Sequence, residues 1–374
     1  MAQTSVDRPL RVEHGSLFLY YCFDVGEEIL LEKIEHIFGE APTTSHLVVE
    51  RLTPAYVQYR RPPLLIELGS IALSAHYAPA VCRAKLYDFG VISIVFKLPL
   101  QGELKDLIGV ATELVGNPKV YQRAREQLQR LQSALAPGIV QASHSEEVEW
   151  EDYAIFSIEQ FERPLSAQQL LSEYGSEIAK ILRCEIEPLS ASELSEAIRQ
   201  PLSYYEDELA LIDWNAAFLY DPRQSYDVPD VLEYAVAMLL ELRTYDALLD
   251  RVLDRAYDDL EKKPSILTLR PFAAIIDYLS EVKLDVSEVI DKVTNSLKLI
   301  GDPYLARVYN VAATRFGLSA WQASVRQKLA TVESLYELLY ERTQARQLLV
   351  LELLIVVLFL LDIILLLVEP LVNR

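Results

Sequence analysis

Two carboxylates stand out by their position, because they lie inside a long apolar stretch. Glu352 and Asp362 are the two ionisable residues among residues 348–368, and the other 19 residues of that stretch are apolar. An ionisable side chain inside a membrane is expensive and usually faces another helix or a water-filled path. Ten residues at 100° each end about 80° from a whole number of turns, so both carboxylates project from one broad side of a helix.

Three interpretations of these carboxylates stay open. Asp362 is tolerated without a role, or it makes a contact in a homo-oligomer, or it lines a pore or a proton path. A polar side chain in the bilayer gains hydrogen-bond partners by facing a neighbouring helix, which favours the oligomer. A path for ions or protons would need a ring of subunits, because each subunit supplies one span.

Other residues that could carry chemistry lack diagnostic spacing. Cys22, Cys82 and Cys184 form no CxxC pair, which is typical of free thiols in a reducing compartment. The five histidines show no HxxxH or HExxH spacing, and no phosphate-binding or nucleophile-elbow glycine motif occurs. The sequence therefore predicts a non-enzymatic protein with no catalytic residue, no metal site and no cofactor.

The apolar stretch itself is the element that positions the two carboxylates. An α-helix rises about 1.5 Å per residue, so residues 348–368 match a hydrocarbon core about 30 Å thick. The 19 apolar residues favour insertion by roughly 6–11 kcal/mol, and two acids at the bilayer centre would cost roughly 5–7 kcal/mol. Neither acid lies at the centre, so we predict a transmembrane helix rather than a buried core helix.

Basic residues on either side of the stretch set its orientation. Lys328, Arg342 and Arg346 precede the stretch, and Arg374 follows it. Positive residues stay on the cytoplasmic side. We therefore expect a tail-anchored, single-pass protein whose bulk faces the cytoplasm at a bacterial inner membrane, or the matrix at an organelle inner membrane.

The net charge limits the partners. The chain has 35 Lys and Arg residues against 55 Asp and Glu residues, a formal charge of −20. Such a chain repels phosphate backbones and anionic lipid headgroups, so we expect no direct nucleic-acid binding. Attachment to the lipid bilayer must then come from the apolar helix.

Strand-like and helix-like segments alternate over the first 228 residues, which predicts an α+β fold. A polar segment that begins at Pro137-Gly138 divides this part into two predicted subdomains, residues 1–138 and 139–228. Residues 229–347 are predicted to form a helical stalk, hairpin or bundle, and residues 348–368 the C-terminal transmembrane helix.

The helical part begins with a heptad seam, in which apolar residues recur at alternating spacings of four and three. The seam consists of Val231, Ala235, Met238, Leu242, Tyr245, Leu249, Val252 and Ala256. It packs either within one chain or between copies of the chain, and both alternatives stay open. No helix breaker lies between Ser319 and Val368, so one helix should run from the soluble part into the membrane.

The carboxyl-terminal part also shows a family pattern. Residues 335–346 read LYELLYERTQAR, Leu351-Glu352 follows, and Asp362 lies ten residues after Glu352. With the strand pair YDFGVISIVF at residues 87–96, this pattern resembles the "required for meiotic nuclear division" family, also called domain of unknown function 155. Leu353 stands where that family usually has Trp, and Asp362 where it usually has Glu.

The resemblance implies a membrane-anchored, non-enzymatic protein. Mitochondrial relatives look like inner-membrane factors that support organelle protein synthesis, often in large assemblies, so a ribosome is one possible partner. We expect a self-assembling scaffold that holds a protein partner at the membrane. The alternative is an oligomeric, channel-like membrane protein with a cytoplasmic regulatory domain.

Overall fold

The structure is a computed structural model that describes residues 9–40, 49–51, 61–140, 148–261, 276–280, 282–284, 286–287 and 300–372. Two compact units make up the chain. The first comprises Met1–Thr244 and Lys292–Trp321, and the second comprises Tyr245–Asp291 and Gln322–Arg374. The described residues combine a sheet with helices, which confirms the predicted α+β class.

Ten strands are described, all in the first unit. They are β1 (Arg11–Asp24), β2 (Glu28–Ile29), β3 (Val49–Arg51), β4 (Leu64–Ile71), β5 (Ala80–Leu86), β6 (Val91–Glu103), β7 (Ile139–Val140), β8 (Trp150–Phe161), β9 (Leu209–Ile212) and β10 (Ala216–Tyr220). Eight of them form one sheet in the order β3-β4-β5-β6-β1-β8-β10-β9. β2 and β7 pair separately as a small second sheet.

Strand β1 lies in the middle of the large sheet. It pairs antiparallel with β6 on one side and with β8 on the other, and β8 pairs in parallel with β10. The subdomain boundary that the sequence suggested at residue 138 therefore falls between strands of one sheet. Both predicted α+β segments belong to the first compact unit.

The sequence of β1 explains its central position. Residues 17–23 read LFLYYCF, and all seven side chains are buried. A strand covered on both faces reads as a continuous apolar run instead of alternating apolar and polar residues. Leu17, Leu19, Tyr21 and Phe23 belong to one apolar core, so Phe18, Tyr20 and Cys22 point to the opposite face.

Helices of the first unit cover one face of the sheet and contribute to the apolar core. They are α1 (Leu31–Glu40), α2 (Asp106–Leu114), α3 (Pro118–Leu135), α4 (Ala167–Arg183) and the short α5 (Ala191–Ala197). Local sequence defines their starts: the Asn117 side chain accepts a hydrogen bond from the Lys119 amide at the start of α3. Ser166 and Gln169 form the capping box of α4, as the Ser-x-x-Gln spacing in the sequence predicts.

The first turns of α6 (Asp227–Glu261) are joined to the sheet by a buried ion cluster. Lys85 Nζ on β5 lies 3.0 Å from Asp230 Oδ1 and 2.7 Å from Glu233 Oε2. The Lys85 and Glu233 side chains are 4% and 3% exposed. Burial raises the pKa of Glu233, and the Lys85 ammonium acts against that shift. The cluster fixes which turn of α6 lies beside β5.

The heptad seam lies on α6. All eight of its residues are buried within the chain, from Val231 in the first turn to Ala256 near the end. The seam therefore offers no exposed apolar side chain to a second copy, and the observed burial matches the intrachain alternative.

The last two helices are α7 (Pro303–Arg315) and α8 (Leu318–Val372). Asp302 Oδ1 caps α7 by accepting hydrogen bonds from the amides of Tyr304 and Leu305. Gly317, with a φ of 66°, separates the two helices, because few other residues adopt that conformation without strain. α8 runs unbroken through the range predicted from Ser319 to Val368. The sequence pattern also predicts a helical stretch over residues 272–300, and most of that stretch lies outside the described residues.

We expect Lys85→Met to destabilise the chain by about 3–5 kcal/mol, because it leaves Glu233 buried without its cation. Urea denaturation followed by circular dichroism, with the full chain in detergent, measures the free energy of unfolding. Arg123→Met is the control, since Arg123 pairs with Glu126 at the surface and should change that free energy by less than about 1 kcal/mol.

The double variant Lys85→Met with Glu233→Leu should recover most of the lost stability, because an apolar pair can replace a buried ion pair of similar volume. A double variant no more stable than Lys85→Met alone would show that the ion cluster is not the source of the effect.

Candidate functional site

The apolar end of α8 is the first candidate site. Among the described residues, α8 is the one helix long and apolar enough to cross a membrane, and none of its most apolar window is buried in protein. Every residue from 351 to 364 is exposed. A helix of a soluble core would be mostly covered, so this exposure contradicts the core-helix interpretation and agrees with the predicted span.

The two predicted membrane carboxylates lie on this exposed stretch. Glu352 and Asp362 are both exposed, so the described chain covers neither of them. Their three interpretations, a tolerated acid, an oligomer contact and a pore or proton path, all remain predictions.

The basic residues expected to set the topology have different surroundings. Lys328 Nζ lies 2.8 Å from Asp246 Oδ2 and 2.6 Å from Asp250 Oδ1, so it joins α8 to α6 within the second unit. Arg342 is exposed and Arg346 is half-buried, and both lie within two turns of Leu348. Arg342 and Arg346 are therefore the better candidates for holding the helix end at a membrane surface.

A second candidate site is a cavity of about 240 Å³ in the first unit. We call it the tyrosine pocket. Its walls include the aromatic rings of Tyr204, Tyr205, Tyr220 and Tyr304, the carboxylates of Glu208, Asp221, Asp227 and Asp302, and the guanidinium of Arg223. The segment before β9, the end of β10 with the loop that follows it, and the starts of α6 and α7 contribute these residues. Aromatic faces beside carboxylates are a setting that suits a cation.

Arg223 shows how the rim of the tyrosine pocket holds a guanidinium. Its Cζ lies 3.9 Å from the centre of the Tyr205 ring. Its Nη1 lies 3.1 Å from Asp207 Oδ1 and 3.0 Å from Glu208 Oε1. Stacking on a ring together with hydrogen bonds to carboxylates is the arrangement in which an arginine is held best.

Tyr304 reaches the tyrosine pocket from α7. Its ring centre is 5.6 Å from that of Tyr204, which in turn is 4.8 Å from that of Tyr205. Burial raises the pKa of Tyr304 to about 12, and the nearby Glu208 and Asp221 carboxylates act in the same direction. The phenol is therefore neutral at physiological pH.

A second buried ion cluster holds α7 beside the sheet. Asp213, in the turn between β9 and β10, is 1% exposed and lies 3.1 Å from Arg183 Nε and 4.0 Å from Arg315 Nη1. Arg315 also contacts Glu196, 2.8 Å from its Oε1 and 2.9 Å from its carbonyl oxygen. Arg315 is the last residue of α7 and Tyr304 lies in its first turn. This cluster therefore positions the α7 wall of the tyrosine pocket.

Three residues of the kinds found in hydrolase triads meet at the end of α2. Ser74 Oγ donates a hydrogen bond to Glu113 Oε1 at 2.8 Å, and His76 Nδ1 lies 3.4 Å from the same oxygen. The serine proton thus faces the carboxylate rather than the imidazole. A triad needs the serine on the imidazole, so this arrangement does not activate Ser74.

The three cysteines agree with the predicted free thiols. Cys22 and Cys82 are buried, Cys184 is half-buried, and all three are free. Burial raises the pKa of Cys82 and of Cys184 to about 12. A thiol that stays protonated is a poor nucleophile and a poor metal ligand. No group of three or more potential metal ligands forms within the described part of the chain.

A family model described as "Uncharacterized protein MJ0711, N-terminal domain" matches residues 14–227, which is more than half of the chain. The chain belongs to this family. The uncharacterized protein MJ0711 of Methanocaldococcus jannaschii is 25% identical over 216 residues, which is 58% of this chain and 65% of that relative. The match thus spans less than two thirds of the relative's length.

The family match and the earlier resemblance concern different parts of the chain. The matched region holds nearly all of the described strands and one side of the tyrosine pocket, whereas α7 and α8 lie beyond it. The resemblance to the "required for meiotic nuclear division" family relied mainly on residues 229–368. It therefore remains a prediction.

Sequence reasoning missed the tyrosine pocket. Its local signal was the run Tyr204-Tyr205-Glu206-Asp207-Glu208, two aromatic residues followed by three acids. The wall from α7, with Asp302, Tyr304 and Leu305, lies about 100 positions away along the chain, and no local pattern predicts that it is a neighbour.

Two carboxylates in the first unit predict a pH-dependent stability. Burial raises the pKa of Asp24 to about 6, although the Gly26 amide donates a hydrogen bond to it. Burial also raises the pKa of Glu151 to about 7, against the attraction of Arg243. Above the ordinary pKa values of 3.8 and 4.5 and below about pH 6, the folded chain binds these protons and the unfolded chain does not. Their contribution to the free energy of unfolding is therefore lost as the pH rises through about 6 and 7.

We therefore expect the full chain in detergent to unfold at a higher temperature at pH 5.5 than at pH 8. Asp24→Asn with Glu151→Gln should reduce that difference, because the amides do not titrate. Thermal unfolding followed by tryptophan fluorescence measures it, and Trp150 is a suitable probe because its ring lies 4.3 Å from that of Tyr121. If the double variant kept the full difference in unfolding temperature, Asp24 and Glu151 would not be the source of the pH dependence.

Proposed function

We propose that the chain is a single-pass membrane protein that holds its α+β unit at the cytoplasmic or matrix face of a bilayer. There it binds a protein partner as a non-enzymatic scaffold. The exposed apolar stretch of α8, residues 351–364, carries this proposal.

The exposed stretch is too apolar to remain in water. Twelve of its fourteen side chains are apolar, and all twelve are at least 46% exposed. Soluble monomers rarely expose an apolar patch larger than a few hundred Å². A bilayer covers every side of a helix at once, which suits a stretch that is apolar on all sides apart from Glu352 and Asp362.

The sidedness follows from the basic residues beside the stretch. Arg342 and Arg346 lie at its amino-terminal end, and cytoplasmic flanks of membrane helices are enriched in such residues. The whole chain has a net charge of −20, so it is not attracted to anionic headgroups. The helix then provides the attachment, and the acidic surface stays available to partners.

Charge also indicates the class of partner. A strongly acidic chain attracts basic surfaces and repels nucleic-acid backbones. The resemblance to the "required for meiotic nuclear division" family suggests a ribosome as the partner. The chain would contact it through basic ribosomal proteins rather than RNA. We further propose that the chain self-assembles through α8, since Glu352 and Asp362 gain hydrogen-bond partners by facing another helix.

Val357→Arg with Leu361→Arg should release the protein from membranes. Two central arginines add roughly 5–7 kcal/mol to the cost of insertion, which exceeds the margin left by the apolar residues. The measurement is the fraction of full chain that stays with bacterial membranes after alkaline extraction. Val357→Leu with Leu361→Ile is the matched control and should stay in the membrane.

Membrane retention of the arginine variant would contradict the anchor. Protease treatment of the wild-type chain tests its sidedness: the α+β unit should be digested in inside-out vesicles and protected in right-side-out vesicles. The reverse pattern would contradict the proposed orientation.

Asp362→Leu should weaken self-association in mild detergent. Hydrogen bonds between membrane helices contribute about 1–2 kcal/mol, so association should weaken by roughly 5–30-fold. Light scattering during size-exclusion chromatography measures the oligomer at several detergent concentrations, with Leu360→Ile as the control. A monomeric wild-type chain, or an Asp362→Leu oligomer of unchanged stability, would contradict assembly through α8.

A further inference from the structure

We propose that the tyrosine pocket binds the side chain of an arginine or lysine on a basic partner protein. This inference deepens the proposed scaffold function, because it names the site at which the partner is held. It rests on the cavity, its aromatic walls, its carboxylates and its position at the surface of an acidic chain.

The aromatic walls form a continuous group. The rings of Tyr205, Tyr204 and Tyr304 follow one another at centre distances of 4.8 Å and 5.6 Å. Tyr204 and Tyr205 are 60% and 48% exposed, so they lie at the mouth. A ring face attracts a cation placed within about 6 Å of its centre. A cation that enters this cavity therefore meets ring surface near the mouth and, at Tyr304, deeper inside.

The carboxylates select a cation that can donate hydrogen bonds. Glu208, Asp221, Asp227 and Asp302 all line the cavity. The Glu208 side chain is 12% exposed, so water is partly excluded from this wall, and this burial raises the pKa of Glu208. Carboxylates accept from N–H groups, and guanidinium and ammonium groups supply several each. Glu208, Asp221 and Asp302 already accept hydrogen bonds from the chain, and a carboxylate oxygen can accept a second one. A quaternary ammonium has no N–H group, so it can add no hydrogen bond to these carboxylates.

Arg223 provides an example within the chain itself. Its guanidinium stacks on Tyr205 and contacts Asp207 and Glu208, as described above. It lies at the rim with 45% of its side chain exposed. Tyr205 and Glu208 also line the cavity, together with Asp227 and Tyr304, so a second guanidinium or ammonium meets similar chemistry there.

The two helix starts at the tyrosine pocket would by themselves favour an anion. Acidic residues at those starts offset this preference. α6 and α7 both begin here, and the start of a helix carries a partial positive charge. Asp302 caps α7 through the amides of Tyr304 and Leu305. Asp227 lies in the first turn of α6. Each helix start therefore has a carboxylate in place, and a cation is the better match for the cavity.

The size and exposure of the cavity favour a side chain on a protein. A volume of about 240 Å³ accommodates the end of one long side chain. The exposed tyrosines at the mouth can contact the backbone and neighbouring residues of the partner. The chain's charge of −20 draws a basic partner toward this surface.

Fluorescence anisotropy of a labelled Gly-Gly-Arg-Gly-Gly peptide, with the full chain in non-ionic detergent at physiological salt, tests this proposal. The peptide should bind, and its glutamine counterpart should bind at least tenfold more weakly. Tyr204→Leu and Asp227→Asn should each weaken binding of the arginine peptide at least fivefold. Tyr257→Leu and Asp258→Asn are the matched controls, since both residues are exposed and lie on α6 outside the cavity, and they should leave binding unchanged.

Equal losses in the pocket variants and their controls would overturn the proposal, because general electrostatic attraction would explain the binding. Failure of the arginine peptide to bind would also overturn it. Methylguanidinium should compete better than tetramethylammonium, and the opposite order would contradict the role of the carboxylates. The assay needs no bilayer, so its result is independent of the anchor test. Failure of the tyrosine-pocket proposal can therefore be distinguished from failure of the membrane-scaffold proposal.

Discussion

Burial of β1 on both faces is the constraint on which the first unit depends. The strand pairs along both of its edges, and its residues 17–23 point large apolar side chains to both faces. A sheet of this kind must be covered on each face. α2, α3 and α4 contribute to the apolar core on one face. The start of α6 covers the other face. It also positions the tyrosine pocket, because it forms one wall of that cavity.

Buried charges determine how the later helices attach to the sheet. Lys85 meets Asp230 and Glu233 at the start of α6, and Asp213 meets Arg315 at the end of α7. A buried ion pair loses several kcal/mol when its partners separate, so it favours one register of the helix on the sheet. These helices lie beyond the family-matched region, yet each is attached at one defined register. Because these helices are attached in this way, residues inside the family-matched region and residues beyond it can form one cavity.

The sequence predicted those elements whose signals are local. The alternation of strand-like and helix-like segments indicated the α+β class, the heptad seam indicated α6, and the unbroken pattern after Ser319 indicated α8. The start of β4 has no such signal, because it directly follows Pro62-Pro63 and paired prolines favour a loop. The pairing of β1 with β8 was missed because strand partners more than 100 residues apart leave no local mark. The tyrosine pocket was missed for the same reason, since Tyr304 reaches Tyr204 only after the chain has folded.

The order of strands along the chain has a consequence for synthesis. β1 is made first, but it pairs with β6 and β8, and β8 ends at Phe161. At about 5–20 residues per second, the ribosome needs roughly 7–28 s to make the intervening 140 or so residues. During that interval a strand that is apolar on both faces has no complete set of partners. The nascent chain is therefore exposed to aggregation early in translation, well before the apolar helix α8 emerges, and we expect its yield to depend on chaperones that shield residues 17–23.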